Sequence, residues 1–130
     1  MDPNSVLFCS HGHFKRVSTQ FRPYFIDFTM QIKLVSLTVD DQEKALQFYT
    51  NVLGFVKKED ILMGPSRWLT VTSPEGVEGA ELVLEPCAFP PAAVYQKALF
   101  DAGIPATAFI TSDIAAEHAR LTEAGVVFRG

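Results

Sequence analysis

A chain of 130 residues, 48% hydrophobic and 20% charged, has a globular composition and the length for one domain whose core folds unaided. Its formal net charge of −4, with no basic cluster larger than Lys15-Arg16 or Lys57-Lys58, leaves no electrostatic footprint for nucleic acid. No apolar run approaches the roughly 18 residues of a membrane helix, and the start "MDPNSVLFCSHGHFK" lacks the regions of a signal peptide, so a cytoplasmic protein without membrane partners is expected.

Residues 1–29 scatter five Phe and one Tyr among His, Ser and Pro with no helical or strand period. They read as a poorly ordered appendage ahead of a functional domain over residues 30–130. Cys9, His11 and His13 stand at i, i+2 and i+4, a spacing that matches no usual zinc site. Cys9 and Cys87 are the only cysteines, too few for a disulfide framework, and are expected as free thiols.

In "IKLVSLTV" the apolar Val35, Leu37 and Val39 alternate with Leu34, Ser36 and Thr38, the period of a strand with one face buried. Asp40 then predicts a helix cap. Glu43 completes a capping-box pattern, and Ala45, Leu46, Tyr49, Val52 and Leu53 form an apolar stripe that Gly54 ends. Three strand-like runs follow, "FVKKEDIL", "RWLTVTS" and "AELVLEP", separated by Gly64-Pro65 and by "PEGVEG". A short helix around "AAVYQKALFDAG" comes next, and "ATAFITSDIAAEHARLTEAGVVF" then repeats the opening pattern of strand and capped helix. Ile110 to Asp113 align with Leu37 to Asp40, and Gly125 with Gly54. His118, on the second helix, has no partner nearby in sequence and is expected at the surface.

A β-α-β-β-β unit carrying "LTVDDQEKALQFYTNVLGF", "RWLTVTSPEG" and "ELVLEP", followed by "ITSDIAAEHARLTEAGVVF", resembles the vicinal-oxygen-chelate superfamily, which includes glyoxalase I, extradiol dioxygenases, and bleomycin and fosfomycin resistance proteins. The resemblance covers residues 30–130, with "FYTNVLGF" its most specific part. It implies an α+β fold in which two β-α-β-β-β modules form a cup-shaped mixed sheet with helices outside, and a homodimer. Module 1 would span residues 30–86, a linker helix 90–103, and an incomplete module 2 residues 104–130.

Members with metal chemistry place a His on the first strand and a Glu on the last strand of each module, four ligands that suit an octahedral divalent ion with two open positions. The first His position falls on Leu34, the first Glu on Glu81 and the second His on Thr107. The second Glu would lie beyond residue 130. Only Glu81 is a fitting ligand, so the resemblance implies the fold without the usual metal site and without a cofactor.

Alternation gives Val35, Leu37, Val39, Leu69, Val71, Leu82, Leu84, Ala108 and Ile110 to the helix-packing face. The opposite face, the candidate ligand site, would carry Leu34, Ser36, Thr38, Trp68, Thr70, Thr72, Glu81, Val83, Thr107, Phe109 and Thr111, with Glu85 solvated at a strand end. Hydroxyls, two aromatics and one central carboxylate fit a small, partly aromatic ligand. Glu81, desolvated beside Trp68 and Phe109, is the candidate catalytic base or hydrogen-bond acceptor.

The leading expectation is a small-molecule-binding protein of the bleomycin-resistance kind. One alternative is a metal-dependent lyase, isomerase or dioxygenase with Glu81 retained and other ligands recruited; the other is an inactive, incomplete gene product. A sheet left open after "VVFRG" would favour self-association.

Overall fold

The structure is a computed structural model and describes residues 30–129. The appendage predicted for residues 1–29, with Cys9, His11 and His13, lies outside the described residues.

Strand β1 (Leu34–Val39) leads into helix α1 (Gln42–Gln47), which continues as one π-helical segment (Phe48–Val52). Strands β2 (Val56–Met63), β3 (Ser66–Thr72) and β4 (Glu81–Pro86) follow, then helices α2 (Pro90–Asp101) and α3 (Ile114–Glu123). The sheet order is β1-β4-β3-β2, with β1 parallel to β4 and the other pairs antiparallel. This is the β-α-β-β-β module expected from the sequence. No helix among the described residues is long and apolar enough to cross a membrane.

The cap of α1 is Asp41 rather than the expected Asp40. Its extended backbone, φ −140°, lets the carboxylate accept from the N–H of Glu43 at 2.9 Å and of Lys44 at 3.0 Å, satisfying two donors that the first turn leaves free. At the other end the N–H of Leu53 reaches the carbonyl of Phe48 at 3.1 Å, a bond one residue longer than the α-helical one. Gly54 then turns at φ +76°, a conformation that costs a residue with a Cβ, and the N–H of Phe55 returns to the carbonyl of Tyr49 at 2.8 Å.

Leu46 and Tyr49 of the helix meet Leu69 and Val71 of β3 and Leu82 and Leu84 of β4, with Leu37, Val39, Ala45, Leu53 and Phe55 packed against them. Alternation along β1, β3 and β4 therefore predicts the packed face except at Val35, which is exposed at the start of the edge strand β1. Gln42 joins helix to sheet: its amide nitrogen donates to the carbonyls of Arg67 at 2.8 Å and Leu84 at 2.7 Å, and its amide oxygen accepts from the N–H of Arg67 at 3.2 Å. The β3–β4 ladder pairs Thr70 with Val83 and Val71 with Leu82, and beyond it this side chain stands between the two strands as a peptide group would.

On the helix side Arg67 donates from Nε and Nη2 to the two carboxylate oxygens of Asp60, at 2.8 and 2.7 Å, and from Nη1 to Glu43 at 2.7 Å. These bonds hold the carboxyls of Asp60 and Glu43 below the usual carboxylate range. All three groups meet water, so screening keeps the fork a local tie between α1, β2 and β3.

The second module departs from expectation. Its helix forms, capped by the Asp113 carboxylate on the N–H of Ala116 at 2.9 Å, and Arg120 Nη1 ties it to the carbonyl of Val52 at 2.8 Å. The predicted strand through Thr107, Phe109 and Thr111 and residues 126–129, expected to begin another, are not strands. A strand requires a hydrogen-bonded neighbour, and among the described residues neither segment has one.

Candidate functional site

The register fixes which side chains share the face turned away from α1. Leu34 lies beside Glu81, Ser36 beside Val83 and Thr38 beside Glu85, while Thr70 pairs with Val83 across the other side of β4. Trp68 and Thr72 stand two residues to either side of Thr70 on β3. The sheet thus brings Leu34, Ser36, Thr38, Trp68, Thr70, Thr72, Glu81 and Val83 onto one face.

β2 adds residues that the sequence pattern misses. Lys57 pairs with Val71 but Asp60 with Leu69, so one extra residue sits in β2 as a bulge, and the Thr70 hydroxyl takes up the N–H of Glu59 at 3.1 Å. After the bulge Ile61 is opposite Trp68 and Met63 opposite Ser66, with Val56 opposite Thr72 before it. All three side chains are exposed beside Trp68 and Thr72. Counting by twos from Val56 would turn Ile61 to the helix side; the four charges Lys57 to Asp60, which break the apolar alternation, are the local signal of the bulge.

Glu81 is half-buried, and its Oε2 accepts from the Thr70 hydroxyl at 2.8 Å. The hydroxyl thereby donates to the carboxylate while accepting from Glu59, which leaves no unsatisfied polar atom at a fully buried Thr70. Glu85, expected to be solvated, is exposed but also accepts from the Ser36 hydroxyl at 2.7 Å.

Thr107, Phe109 and Thr111 do not share this face as a third strand. Phe109 packs edge-on against Phe55 at 5.4 Å between ring centroids and against Tyr49 at 6.2 Å, which places it on the helix side of the sheet. Thr107 lines a cavity there with it, and Thr111 is exposed and accepts from the N–H of Asp113 at 3.3 Å. Ile110, assigned by alternation to the packed face, is fully exposed at 101%. Without a ladder the period of two no longer dictates direction, and the Phe109 ring, though half exposed, turns to the rings of Tyr49 and Phe55.

At the outer edge of β1 a cavity of about 320 Å³ opens between the sheet, α2 and residues 104–106, lined by Ser36, Leu37, Thr38, Tyr95, Gln96 and Leu99 among others. Gln96 fixes its wall by donating to the carbonyl of Thr38 at 3.0 Å and accepting from the thiol of Cys87 at 2.9 Å. Burial, with the nearby Asp40 carboxylate, pushes the Cys87 thiol up, so it serves as a donor rather than a nucleophile. Tyr95 and Gln96 lie 57 or more positions from the β1 residues with which they line the cavity, beyond the reach of local periodicity.

The residues do not fit the divalent ion of metal-dependent relatives. Leu34, directly beside Glu81, carries no donor atom, Thr107 offers only a neutral hydroxyl, and one oxygen of Glu81 is already engaged by Thr70. Among the described residues no three His, Cys, Asp or Glu side chains gather into a metal-holding group.

Comparisons with known proteins agree with this architecture. The uncharacterized protein YurT of Bacillus subtilis (strain 168) is 52% identical over 99 residues, covering 76% of this chain and 78% of YurT. The crystal structure of UcmS2 superposes with a TM-score of 0.66 at 29% identity, covering 78% of this chain and 79% of UcmS2. TnmS3, an antibiotic binding protein from Streptomyces sp. CB03234, matches with a TM-score of 0.54 at 33% identity, covering 76% of this chain and 74% of its own. The sequence profile of the Glyoxalase/Bleomycin resistance protein/Dioxygenase superfamily matches residues 31–130. With the module, its strand order and this match in place, the chain belongs to the glyoxalase/bleomycin resistance protein/dioxygenase superfamily.

Proposed function

We propose that the protein binds a small, partly aromatic molecule on the open face of its sheet, beside β1, and does so without a divalent metal. The observation that carries this reading is the cavity of about 320 Å³ at β1, whose wall combines the hydroxyls of Ser36, Thr38 and Tyr95 with apolar Leu37 and Leu99. Such a mixture of apolar surface and few placed polar groups is what a small-molecule site requires. The antibiotic-binding neighbour TnmS3 supports a small molecule as the ligand. Trp68 and Ile61, paired across β3 and β2, extend the surface on which a planar ring can lie.

A thermal-shift panel of planar aromatic compounds tests this reading. At least one compound is expected to stabilise the full-length protein, and Tyr95→Ala to weaken its binding by about tenfold, the scale of one lost aromatic contact. Glu81→Gln keeps an acceptor for Thr70, so it should fold normally while changing affinity for ligands bearing a donor or positive charge. A panel without any stabilising compound contradicts the proposal.

The working species in this proposal is a homodimer. β1 and β2 border the sheet without a further strand among the described residues, and Leu34, Val35, Ile61 and Leu62 are exposed on them, an arrangement that invites a second copy. Sedimentation at tens of micromolar should show a dimer; a stable monomer would refute this element.

A further inference from the structure

On the opposite side of the sheet, beneath the loop 73–80 that joins β3 to β4, lies a second cavity of about 220 Å³. Val35, Val71 and Leu82, from three adjacent strands, form one wall; Phe55 and Phe109 form another, and Val77 stands at the loop. The wall is carbon almost throughout. Its one charged residue, Glu81, has a carboxylate oxygen held by Thr70. Phe109 meets Phe55 and Tyr49 edge to face, nearly perpendicular to Phe55 at 89°, while Tyr49 and Phe55 are tilted at 47°.

We propose that this cavity is a second binding site, distinct from the cavity at β1 and meeting the open face only at Thr72 and Glu81, for a compact uncharged aromatic molecule between benzene and indole in size. An apolar cavity of about 150 Å³ is enough to take up benzene, so the volume here admits a single ring or a small fused pair and excludes a peptide strand or helix. An anionic guest would lose its hydration against a carbon wall and meet the Glu81 carboxylate, without compensation. An aromatic guest gains burial and joins the existing ring cluster at the edge-to-face spacing such pairs prefer. Phe109 forms part of this wall because residues 107–111 do not form a strand, so the site follows from the same feature that removes Phe109 from the open face.

Indole titrated into the full-length protein, followed by NMR of methyl groups, tests the proposal. Saturable shifts are expected at Val35, Val71 and Leu82. Val35→Phe, which fills the cavity from an exposed position on β1, and Val77→Glu, which sets a charge at its mouth from an exposed loop position, should each weaken indole at least tenfold. Val127→Ala, at an exposed position that lines neither cavity, should leave indole affinity unchanged. The proposal is overturned if shifts are confined to the open face, if no saturation occurs up to the solubility of indole, or if both cavity variants bind indole as the parent does.

Discussion

Replacing Leu84 by alanine is expected to destabilise the domain by about 2–5 kcal/mol, the range for removing a large buried side chain whose surroundings relax only in part. Leu84 has 0% exposure, sits at the centre of β4 and packs with Leu46, Tyr49, Leu69 and Val71. Total stability of a domain this size is about 5–15 kcal/mol, so much of the protein's margin is at stake. Urea unfolding followed by circular dichroism measures the loss as a lower midpoint. Ile110→Ala supplies the contrast. Strand alternation through residues 107–111 would place Ile110 in the packed face and predict a comparable loss; its full exposure predicts a change within about 0.5 kcal/mol.

Gln42→Leu is expected to cost at least about 3 kcal/mol although it removes no charge and opens no cavity. It leaves the carbonyls of Arg67 and Leu84 and the N–H of Arg67 without the amide that answers them, and the leucine side chain keeps water from replacing it. Each polar group stranded in that way costs about 1–3 kcal/mol. Because Trp68 and Glu85 are the next residues along the same two strands, the variant should also show faster amide exchange there, where the ladder has already opened. A midpoint and exchange pattern equal to those of the parent would show that the amide only accompanies the strands' separation.

The first module was legible because its signals are local. A period of two in β1, β3 and β4, an apolar stripe in α1 and glycines at the turns determine each element and the face it buries, and the same alternation places Leu34, Ser36, Trp68, Thr70, Glu81 and Val83 on the open face. What the pattern misses depends on partners distant in sequence. The β2 bulge is a mismatch between two strands, and only after it do Ile61 and Met63 turn toward Trp68. Gln42 reads as an ordinary polar residue of a first helical turn, yet its partners lie 25 and 42 residues away. Asp40 and Asp41 are equal candidates for a cap by residue type, and the backbone decides between them. Phe109 was misplaced because alternation governs side-chain direction only inside a ladder; outside one, ring contacts with Tyr49 and Phe55 set its direction.

The central claim, a small-molecule site that works without a divalent metal, is tested most directly by calorimetric titration of the best-stabilising aromatic compound into full-length protein treated with a chelator and into protein supplied with nickel, zinc, manganese or iron(II). The account predicts saturable binding with the same affinity in every sample, since neither Leu34 nor Thr107 offers a fitting ligand and Glu81 is held by Thr70. Binding that vanishes in the chelated protein and returns with one equivalent of metal would contradict it, and would return Glu81 to the role of a metal ligand.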